Sequence, residues 1–334
     1  MGVRVVPTEW RERIGLEHPV VQAGMAAAAG PALAGAVSAA GGLGTVGIMA
    51  PQAFAASLRK ARGLAPGRPV AGNLIVPFTR RAHVDACVSE GAALVVLHGG
   101  FAPRWVRRLR AGGVPVFQTV GTAAQARRAL SEGATGLVVQ GLEAGGHLVG
   151  VEPLERALPQ VLDVAGGAPV LAAGGVAGAA DVRRLLDAGA SAAVAGTRFL
   201  LTEESGAHPA YRRRLVEADR TLVTELFGFG WPLRHRVVPN AATERWCAGP
   251  SDLGPEWVRR AAALTGPVGR LAPLGALGAA ARLQRPALPL FSPALALAGM
   301  PEAAVDRTSL YAGETVRRLD DVVSAAEAVR LLTP

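Results

Sequence analysis

Short apolar runs that follow a Gly-Ala pair recur along this chain, and they constrain its fold more than any other feature. The clearest copies are SEGAALVVLHGG at 89–100, SEGATGLVVQG at 131–141 and DAGASAAVAGTRF at 187–199. In each copy the glycine closes a preceding helix. The apolar run that follows has the composition of a strand buried on both faces, as in a parallel sheet. A looser copy, AAGGLGTVG, lies at 39–47.

Counting these runs predicts eight strands that alternate with amphipathic helices before residue 200. The predicted strands are 19–23, 44–47, 70–76, 93–98, 115–120, 136–141, 169–175 and 192–199. Regular alternation of this kind favours an α/β fold, a (β/α)8 TIM barrel. An open doubly wound sheet is the alternative, but no G-x-G-x-x-G opens the first helix.

The pattern changes after the eighth predicted strand. Residues 203–305 contain prolines, three tryptophans and helical stretches rich in Ala, Leu and Arg. They predict a smaller, mainly helical second domain, inserted after strand 8 and covering the substrate site at the barrel mouth. The tail at 311–332 has helical periodicity and predicts the last barrel helix. The barrel would therefore comprise residues 1–202 and 306–334.

Composition excludes several classes of protein. Of the 334 residues, 50% are hydrophobic and 18% are charged, which is too apolar for a disordered chain. The net charge of +9 raises the question of nucleic-acid binding. However, Lys60 is the only lysine, and the arginines fall in short groups beside acidic or apolar residues. Because they form no basic stripe, no nucleic-acid partner is predicted.

Neither secretion nor a membrane is predicted. Residues 1–19 lack the unbroken apolar stretch of a signal peptide, and 287–299 is too short to span a bilayer and contains two prolines. Cys87 and Cys247 have no metal-ligand spacing, and a single disulfide would be an unusual framework for this length. HExxH, CxxC and clustered carboxylates are absent from the sequence. We therefore expect a cytoplasmic protein without a metal site.

Amides and glycines end the predicted strands, at the rim where barrels of this type place their function. Neutral amide donors and acceptors suit a heteroaromatic ring that carries carbonyls and nitrogens. The glycines after the seventh and eighth strands expose backbone N–H groups where phosphate binds in this fold. Each glycine alone would fit a tight turn, but as a pair they favour phosphate. The candidates are Gln22, Ala23, Gly24, Met25, Asn73, His98, Gln118, Gln140, Gly174, Gly175, Gly196 and Thr197.

The stretch VVQGLEAGGHLVG at 138–150 ends a buried strand with an amide, glycines and an imidazole. His147 can titrate near neutral pH and follows a loop that glycines leave bare, so we predict a catalytic or substrate-binding role. His98 also ends a strand but lacks this glycine context and is the weaker candidate. Glu143 either bonds a cofactor hydroxyl or orients the loop. The other histidines, His235 among them, carry no local signal.

Together these motifs resemble the nitronate monooxygenase (2-nitropropane dioxygenase) family of FMN-dependent (β/α)8 barrels. Two related groups share the motifs: the FMN-dependent enoyl-acyl-carrier-protein reductases and the NADH:quinone reductases. The resemblance therefore indicates the fold and the cofactor more directly than the reaction. The matching stretches, in family order, are PVVQAGMA (19–26), AAGGLGTVG (39–47), GNLIVPF (72–78), QGLEAGGHLVG (140–150), VLAAGGVA (170–177), GTRFLLTEESGAH (196–208) and YAGETV (311–316).

The resemblance implies roles for individual residues, with His147 meeting the substrate. Gly24 stands where many nitronate monooxygenases have proline, and it matches the enoyl reductases. Glutamine at position 118 excludes a charge-based contact to the flavin pyrimidine. Tyr311 is not assigned. The implied FMN contacts are Gln140, Gly145 and Gly146; Ala23, Gly24 and Met25 along the isoalloxazine; Asn73 and Gln118 by hydrogen bonds; and Gly174, Gly175, Gly196 and Thr197 at the phosphate.

The implied activity is FMN-dependent oxidation of alkyl nitronates, with nitroalkanes as an extension, by O2 to a carbonyl compound and nitrite. The alternative is an FMN-dependent NAD(P)H reductase of enoyl thioesters or quinones, which Gly24 slightly favours. A non-catalytic flavin-binding protein is a third hypothesis, against which the retained His147 argues. Expected partners are a small-molecule substrate and O2, or NAD(P)H in the alternative. The sequence is compatible with a homo-oligomer and leaves the oligomeric state open.

Overall fold

The structure, a computed structural model, describes residues 7–249, 252–271 and 274–334. The remaining parts of the two predicted domains lie outside the described residues. In the described part of the chain, eight parallel strands form a nearly closed barrel. These strands are β1 (Val20–Gln22), β2 (Gly44–Val46), β3 (Val70–Ile75), β4 (Val95–His98), β5 (Val116–Val120), β6 (Gly136–Gln140), β8 (Val170–Ala173) and β9 (Ala192–Ala195).

The strand order around the barrel is β1-β9-β8-β6-β5-β4-β3-β2. Closure comes from the backbone of β1 and the residue before β2. The Gln22 nitrogen donates to the Leu43 carbonyl at 3.0 Å, and the Leu43 nitrogen donates to the Val20 carbonyl at 2.9 Å. The predicted (β/α)8 barrel is confirmed. Helices cover its outer face, and most of their buried residues are apolar, as this architecture requires.

The helices follow the predicted alternation around the barrel. Gly133 and Gly189 close the helices that end at Ser131 and Asp187. Their φ angles of +97° and +103° favour glycine, so the Gly-Ala junctions act as helix ends. The helices are α1 (Pro7–Ile14), α2 (Pro31–Ala39), α3 (Pro51–Leu64), α4 (Arg81–Ser89), α5 (Pro103–Ala111), α6 (Ala123–Ser131), α7 (Leu154–Leu162), α8 (Ala179–Asp187), α9 (Thr197–Leu200), α10 (Pro209–Val216), α11 (Ala241–Trp246), α12 (Glu256–Leu271), α13 (Leu274–Leu283) and α14 (Ala325–Leu332).

Helix α1, which the sequence pattern did not predict, packs against the barrel interior. Trp10 contacts Phe117 of β5 with ring centroids 5.4 Å apart. Both rings belong to one buried cluster with the inward-facing residues of the strands. Because this cluster fills the barrel, the barrel is a packed core and a ligand site can form only beyond the strand ends.

Two predicted boundaries were wrong. The eighth strand of the barrel, β9, ends at Ala195, and the residues from Thr197 to Leu200 form helix α9. This turn is fixed by the buried Arg198, whose guanidinium donates to the Leu201 carbonyl at 2.9 Å and to Asp321. The predicted tail helix is also shorter, because it begins only at α14, after Ser324, the N-cap residue. The periodicity over 311–332 instead covers a 3-10 helix and an extended segment before α14.

Between residues 203 and 305 lie helices α10 to α13 and strands β10 (Leu222–Thr224) and β11 (His235–Val237). These strands form a three-stranded antiparallel sheet with β7 (Gly146–His147), which belongs to the glycine-rich run after β6. In this register His235 pairs with His147. The pairing ties residues 203–305 to the predicted catalytic loop. None of the described helices is long and apolar enough to span a membrane.

Candidate active site

A cavity of about 460 Å³ lies at the C-terminal ends of the barrel strands and reaches up to residues between 203 and 305. Its volume is in the range of small-molecule and cofactor sites, about 300–1,000 Å³. The weaker or unassigned candidates His98, Glu143 and Tyr311 also line it. The predicted site residues that the structure brings together here are Ala23, Gly24, Met25, Asn73, Gln140, Gly145, Gly146, His147, Gly174, Gly175, Gly196 and Thr197.

Gln118 is the predicted contact that the structure does not bring to the cavity. Its side chain is buried, and its amide nitrogen donates to the carbonyls of Leu97 at 3.1 Å and Gly100 at 3.0 Å. These bonds hold the end of β4 and the loop after it. Gln118 therefore stabilises the C-terminal end of β4 and does not contact the cavity.

Gln140 connects the end of β6 to the loop that carries His147. Its amide nitrogen donates to the His147 carbonyl at 3.1 Å, and its amide oxygen accepts from the Val149 nitrogen at 2.8 Å. The amide thus pairs with the loop backbone through both a donor and an acceptor. This explains why the strand ends in a polar residue: the amide substitutes for strand pairing where the chain turns away.

Glu143 and Arg236 brace the same loop from two sides. The Glu143 carboxylate accepts from the Leu154 nitrogen at 3.0 Å, at the start of α7. The buried Arg236 guanidinium donates twice to the Leu142 carbonyl, at 3.0 and 2.8 Å, and pairs with Glu314 at 3.1 Å. This contact gives Glu143 a role in orienting the loop, and because Glu143 also lines the cavity, a bond to a cofactor hydroxyl stays a prediction.

His147 lies among aromatic rings that cover its imidazole. Trp231 stacks on it with ring centroids 3.7 Å apart and planes 18° apart, and the rings of His235 and Tyr311 lie at 5.0 and 5.3 Å. The Nε2 atom of His147 is buried and has no hydrogen-bond partner in the described structure. Burial, with His235 and His98 nearby, holds the His147 pKa well below its usual 6.5. The imidazole is therefore neutral at neutral pH.

His235 and His98 are neutral as well. His235 donates from Nδ1 to the Leu233 carbonyl at 2.9 Å and accepts at Nε2 from the Phe227 nitrogen at 3.3 Å, which fixes its tautomer. Burial lowers the pKa of His235 to about 4. Burial also lowers the pKa of His98 to about 4, opposed by a hydrogen bond to the His147 backbone. The histidines around the cavity thus add no positive charge.

Sequence reasoning missed both Trp231 and His235. Trp231 lines the cavity, and His235 lies behind His147 on the paired strand. Neither residue sits in a motif, and the β7–β11 pairing that brings them to the site joins distant parts of the chain. The one local hint is the run GFGWP at 228–232, where glycines flank an aromatic residue.

The glycines after β8 form a half-buried backbone turn that lines the cavity. Gly175 has φ of +70°, and a Cβ built on it would meet no protein atom within 4 Å. Arg318 donates to the Gly175 carbonyl at 3.0 Å and to the Asp181 carboxylate at 2.6 Å. Asp181 in turn accepts from the Ala177 nitrogen at 2.9 Å, so the turn is held from both ends.

Two polar atoms of residues that line the cavity have no hydrogen-bond partner among the described protein groups. Besides His147 Nε2, the hydroxyl of Thr45 on β2 is buried without a hydrogen-bond partner, and both residues line the cavity. Such atoms are rare in folded proteins and need a specific reason. Among the described lining residues, Glu143 alone has a formally charged side chain. This donor set fits a mostly neutral ring system whose phosphate is held by backbone N–H groups.

Comparison with known proteins agrees with this geometry. The family model described as nitronate monooxygenase matches residues 9–85 and 75–334, nearly the whole described chain. The chain belongs to the nitronate monooxygenase family. The predicted family is therefore confirmed, and the protein is an oxidoreductase of a flavin-dependent family.

Relatives within and around the nitronate monooxygenase family differ in their named activities. Nitronate monooxygenase of Pseudomonas aeruginosa is 35% identical, with 63% of this chain and 74% of that protein covered. A second relative, from Mycobacterium tuberculosis, is also 35% identical, with 74% of this chain and 70% of that protein covered. Its name is (3aS,4S,5R,7aS)-5-hydroxy-7a-methyl-1-oxo-octahydro-1H-indene-4-carboxyl-CoA dehydrogenase. The family is thus clear, whereas the relatives do not select one substrate.

Solved structures share the whole fold. Nitroalkane oxidase from Streptomyces ansochromogenes superposes with a TM-score of 0.75 at 26% identity, covering 95% of each chain. FabK from Thermotoga maritima superposes with a TM-score of 0.74 at 24% identity, covering 97% of this chain and 94% of its own. The barrel and the segment that follows it therefore recur together.

The departure from the nitronate monooxygenase pattern at Gly24 has a packing reason. A Cβ on Gly24 would overlap the side chain of Asn73. Asn73 is held in that place by a bond from its amide nitrogen to the Val96 carbonyl at 3.3 Å. Proline at position 24 would therefore require a different Asn73 conformation, so the two positions are coupled.

Gly145→Ala is expected to destabilise the loop that carries His147. A Cβ on Gly145 would lie 2.5 Å from backbone atoms of Ala312 and Gly313, which are not free to move aside. Overpacking of this kind costs about 1–3 kcal/mol, which thermal unfolding would show as a lower Tm. Gly63→Ala in α3 is the matched control, because its Cβ would meet no atom within 4 Å. Equal Tm values for the two variants would contradict this account.

Proposed function

We propose that this chain binds FMN and oxidises alkyl nitronates, and by extension nitroalkanes, with O2 to a carbonyl compound and nitrite. One observation carries the proposal: a neutral imidazole, His147, with an unpartnered Nε2, at the wall of a cavity bounded by bare glycine backbone. Family membership and the likeness to a nitronate monooxygenase and a nitroalkane oxidase support it.

The residues around the cavity would hold FMN through backbone and amide groups. We assign the phosphate to the N–H groups of Gly174, Gly175, Gly196 and Thr197, which line the cavity just after β8 and β9. The isoalloxazine would lie along Ala23, Gly24 and Met25, with Asn73, Gln140, Gly145 and Gly146 near its polar edges. Thr45, with its unpartnered hydroxyl, is an added candidate contact. When bound, FMN supplies the electron acceptor.

His147 would act on the substrate as a hydrogen-bonding group and as a base. A neutral imidazole can accept the proton at the carbon next to a nitro group, whereas a protonated one cannot. With a preformed nitronate, which has already lost that proton, the same nitrogen would only position the substrate. Both roles require Nε2 to be free of protein partners, as it is here.

We propose that residues 203–305 form the substrate-covering domain. Several apolar residues of this segment, among them Leu274, Leu295, Leu297 and Met300, line the cavity. An apolar wall favours alkyl groups over charged ones and limits the access of water. The matching substrate class is therefore alkyl nitronates with an apolar chain.

Anaerobic mixing with an alkyl nitronate tests the proposal. We expect the visible flavin absorption of the purified protein to bleach, and O2 to restore it with release of nitrite. The His147→Ala variant, mixed in the same way, should bleach about tenfold more slowly, because a nitronate has already lost its proton and only the positioning by His147 is removed; a lost acid–base group would cost about 10²-fold or more. An unchanged spectrum of the wild-type protein would contradict nitronate oxidation.

The second candidate is an FMN-dependent reductase that takes hydride from NAD(P)H and reduces enoyl thioesters or quinones. The specific observations in its favour are Gly24 and the relative whose name describes a CoA-thioester dehydrogenase. Steady NAD(P)H consumption that depends on such an acceptor, without bleaching by nitronates, would select this candidate over the first.

A further inference from the structure

Trp231, which the family motifs do not include, makes the closest ring contact to His147. The two rings are nearly parallel at 3.7 Å, and the tryptophan side chain is only 6% exposed. His98 and Phe78 contact the same indole at 6.0 and 5.7 Å, each with planes at 87°. The indole is therefore held by the end of β4 and by the 3-10 helix at Val76–Phe78 after β3, while its flat face meets the imidazole.

The backbone nearby is shaped to admit this ring. Gly99 has φ of +75°, and a Cβ there would come within 2.5 Å of the Trp231 Cζ2 atom. The Trp231 nitrogen donates to the Gly228 carbonyl at 2.9 Å, and the Leu233 nitrogen donates to the Trp231 carbonyl at 2.9 Å. The indole thus fills a gap that the barrel rim leaves open, on a turn closed by its own hydrogen bonds.

The observed orientation of the His147 imidazole needs the stacked Trp231 indole to hold it in place. Its Nε2 is buried and unpartnered, and a buried polar atom without a partner disfavours the conformation that contains it. Rotation of the imidazole toward water or a carbonyl would relieve that cost. A parallel indole at van der Waals distance blocks this rotation, because the turning ring would collide with it.

We propose that Trp231 is a positioning residue for His147, holding the imidazole in one orientation in which Nε2 keeps no protein partner. The inference rests on the proposed function, because it takes His147 as the group that meets the substrate. A residue 84 positions away in the chain would then set the alignment of the reacting group. A misplacement of about 1 Å in such a group can cost about 10²-fold in rate.

The test compares Trp231→Leu, Trp231→Phe and the control Trp257→Leu in the FMN-loaded enzyme. Trp257 is 56% exposed, and its ring contact is with Trp246, which does not contact Trp231 or His147. For Trp231→Leu we expect kcat to fall by about 10- to 100-fold, with KM within about threefold. Trp231→Phe should recover most of kcat, because it restores a flat ring, and Trp257→Leu should match the wild type. A raised KM with unchanged kcat would overturn the positioning role and leave Trp231 as a wall of the cavity.

A spectroscopic arm is independent of turnover. In histidine-labelled enzyme, the ring signals of His147, identified by their loss in His147→Ala, should be shifted upfield by the indole ring current. Trp231→Leu should abolish that shift and Trp231→Phe should keep part of it. An identical His147 spectrum in wild type and Trp231→Leu would overturn the proposal. If neither nitronates nor NAD(P)H reduce the flavin, the proposed function fails, and this arm still decides whether Trp231 stacks on His147.

Discussion

His147→Ala is expected to lower turnover by roughly 10²-fold or more while leaving FMN bound. A lost general acid or base typically costs 10²- to 10⁴-fold. The flavin should stay because its phosphate is assigned to the turns after β8 and β9, away from the residue removed. The fall should be smaller with a preformed nitronate than with the neutral nitroalkane, since only the latter needs a proton removed. Steady-state kinetics with both substrates, together with the flavin content of the purified variant, give the measurement.

His98→Ala is the matched control, because His98 also lines the cavity and contacts Trp231. We expect a much weaker effect on turnover, since His98 is hydrogen-bonded to the His147 backbone and takes no part in the proposed proton transfer. Equal and minor losses in the two variants, with flavin retained, would show that the catalytic centre lies elsewhere in the cavity.

Acid is expected to destabilise the fold well before the carboxylates titrate. In the unfolded chain histidine has a pKa near 6.5, whereas burial lowers the pKa of His235 to about 4. Between these values the unfolded state binds more protons, so falling pH favours unfolding. The stability is fully present above about pH 6.5 and is lost toward pH 4. From pH 7 to pH 5, His235 alone should lower the free energy of unfolding by about 2 kcal/mol.

Urea unfolding at a series of pH values measures this loss. His235→Gln should flatten the dependence of the unfolding free energy on pH, even if the variant is less stable throughout. His18→Gln is the control, because its side chain is 32% exposed and lies outside the histidine cluster. A His235→Gln variant with the wild-type slope would show that His235 does not carry the acid sensitivity.

The barrel was predictable because the signals for its strands and helix ends lie in short stretches of the sequence. Apolar runs such as the one in β6, buried on both faces, and glycines that end helices leave few alternatives for a chain of this length. The cavity rim followed from the rule that strand ends carry function, and the structure places Gly175 and His147 there. Interactions between distant segments were not predictable. In the sequence Gln118 has the same pattern as the other amides at strand ends, but in the structure its side-chain nitrogen donates to the Leu97 carbonyl within the barrel wall.

Trp231 and His235 could not be predicted from the sequence, because long-range contacts bring them to the site. Their importance comes from the pairing of β11 with β7, a register that joins residues 235–236 to 146–147. Strands of two or three residues carry too little periodic signal to be recognised, and their partner is remote in the chain. Helix α1 was missed for a related reason, since its role depends on Trp10 meeting Phe117 inside the barrel.

The β7–β11 ladder also limits how this enzyme could evolve or be re-engineered. A module joined to a barrel only by flexible linkers can be exchanged for another to alter substrate range. Here the segment after the barrel supplies the strand that flanks His147, and Leu148 donates to the Arg234 carbonyl at 2.8 Å. A chimaera that replaces 203–305 without a compatible β11 would leave the histidine loop without its neighbouring strand. The apolar cavity wall from 203–305 and the position of the His147 loop are therefore inherited together in this architecture.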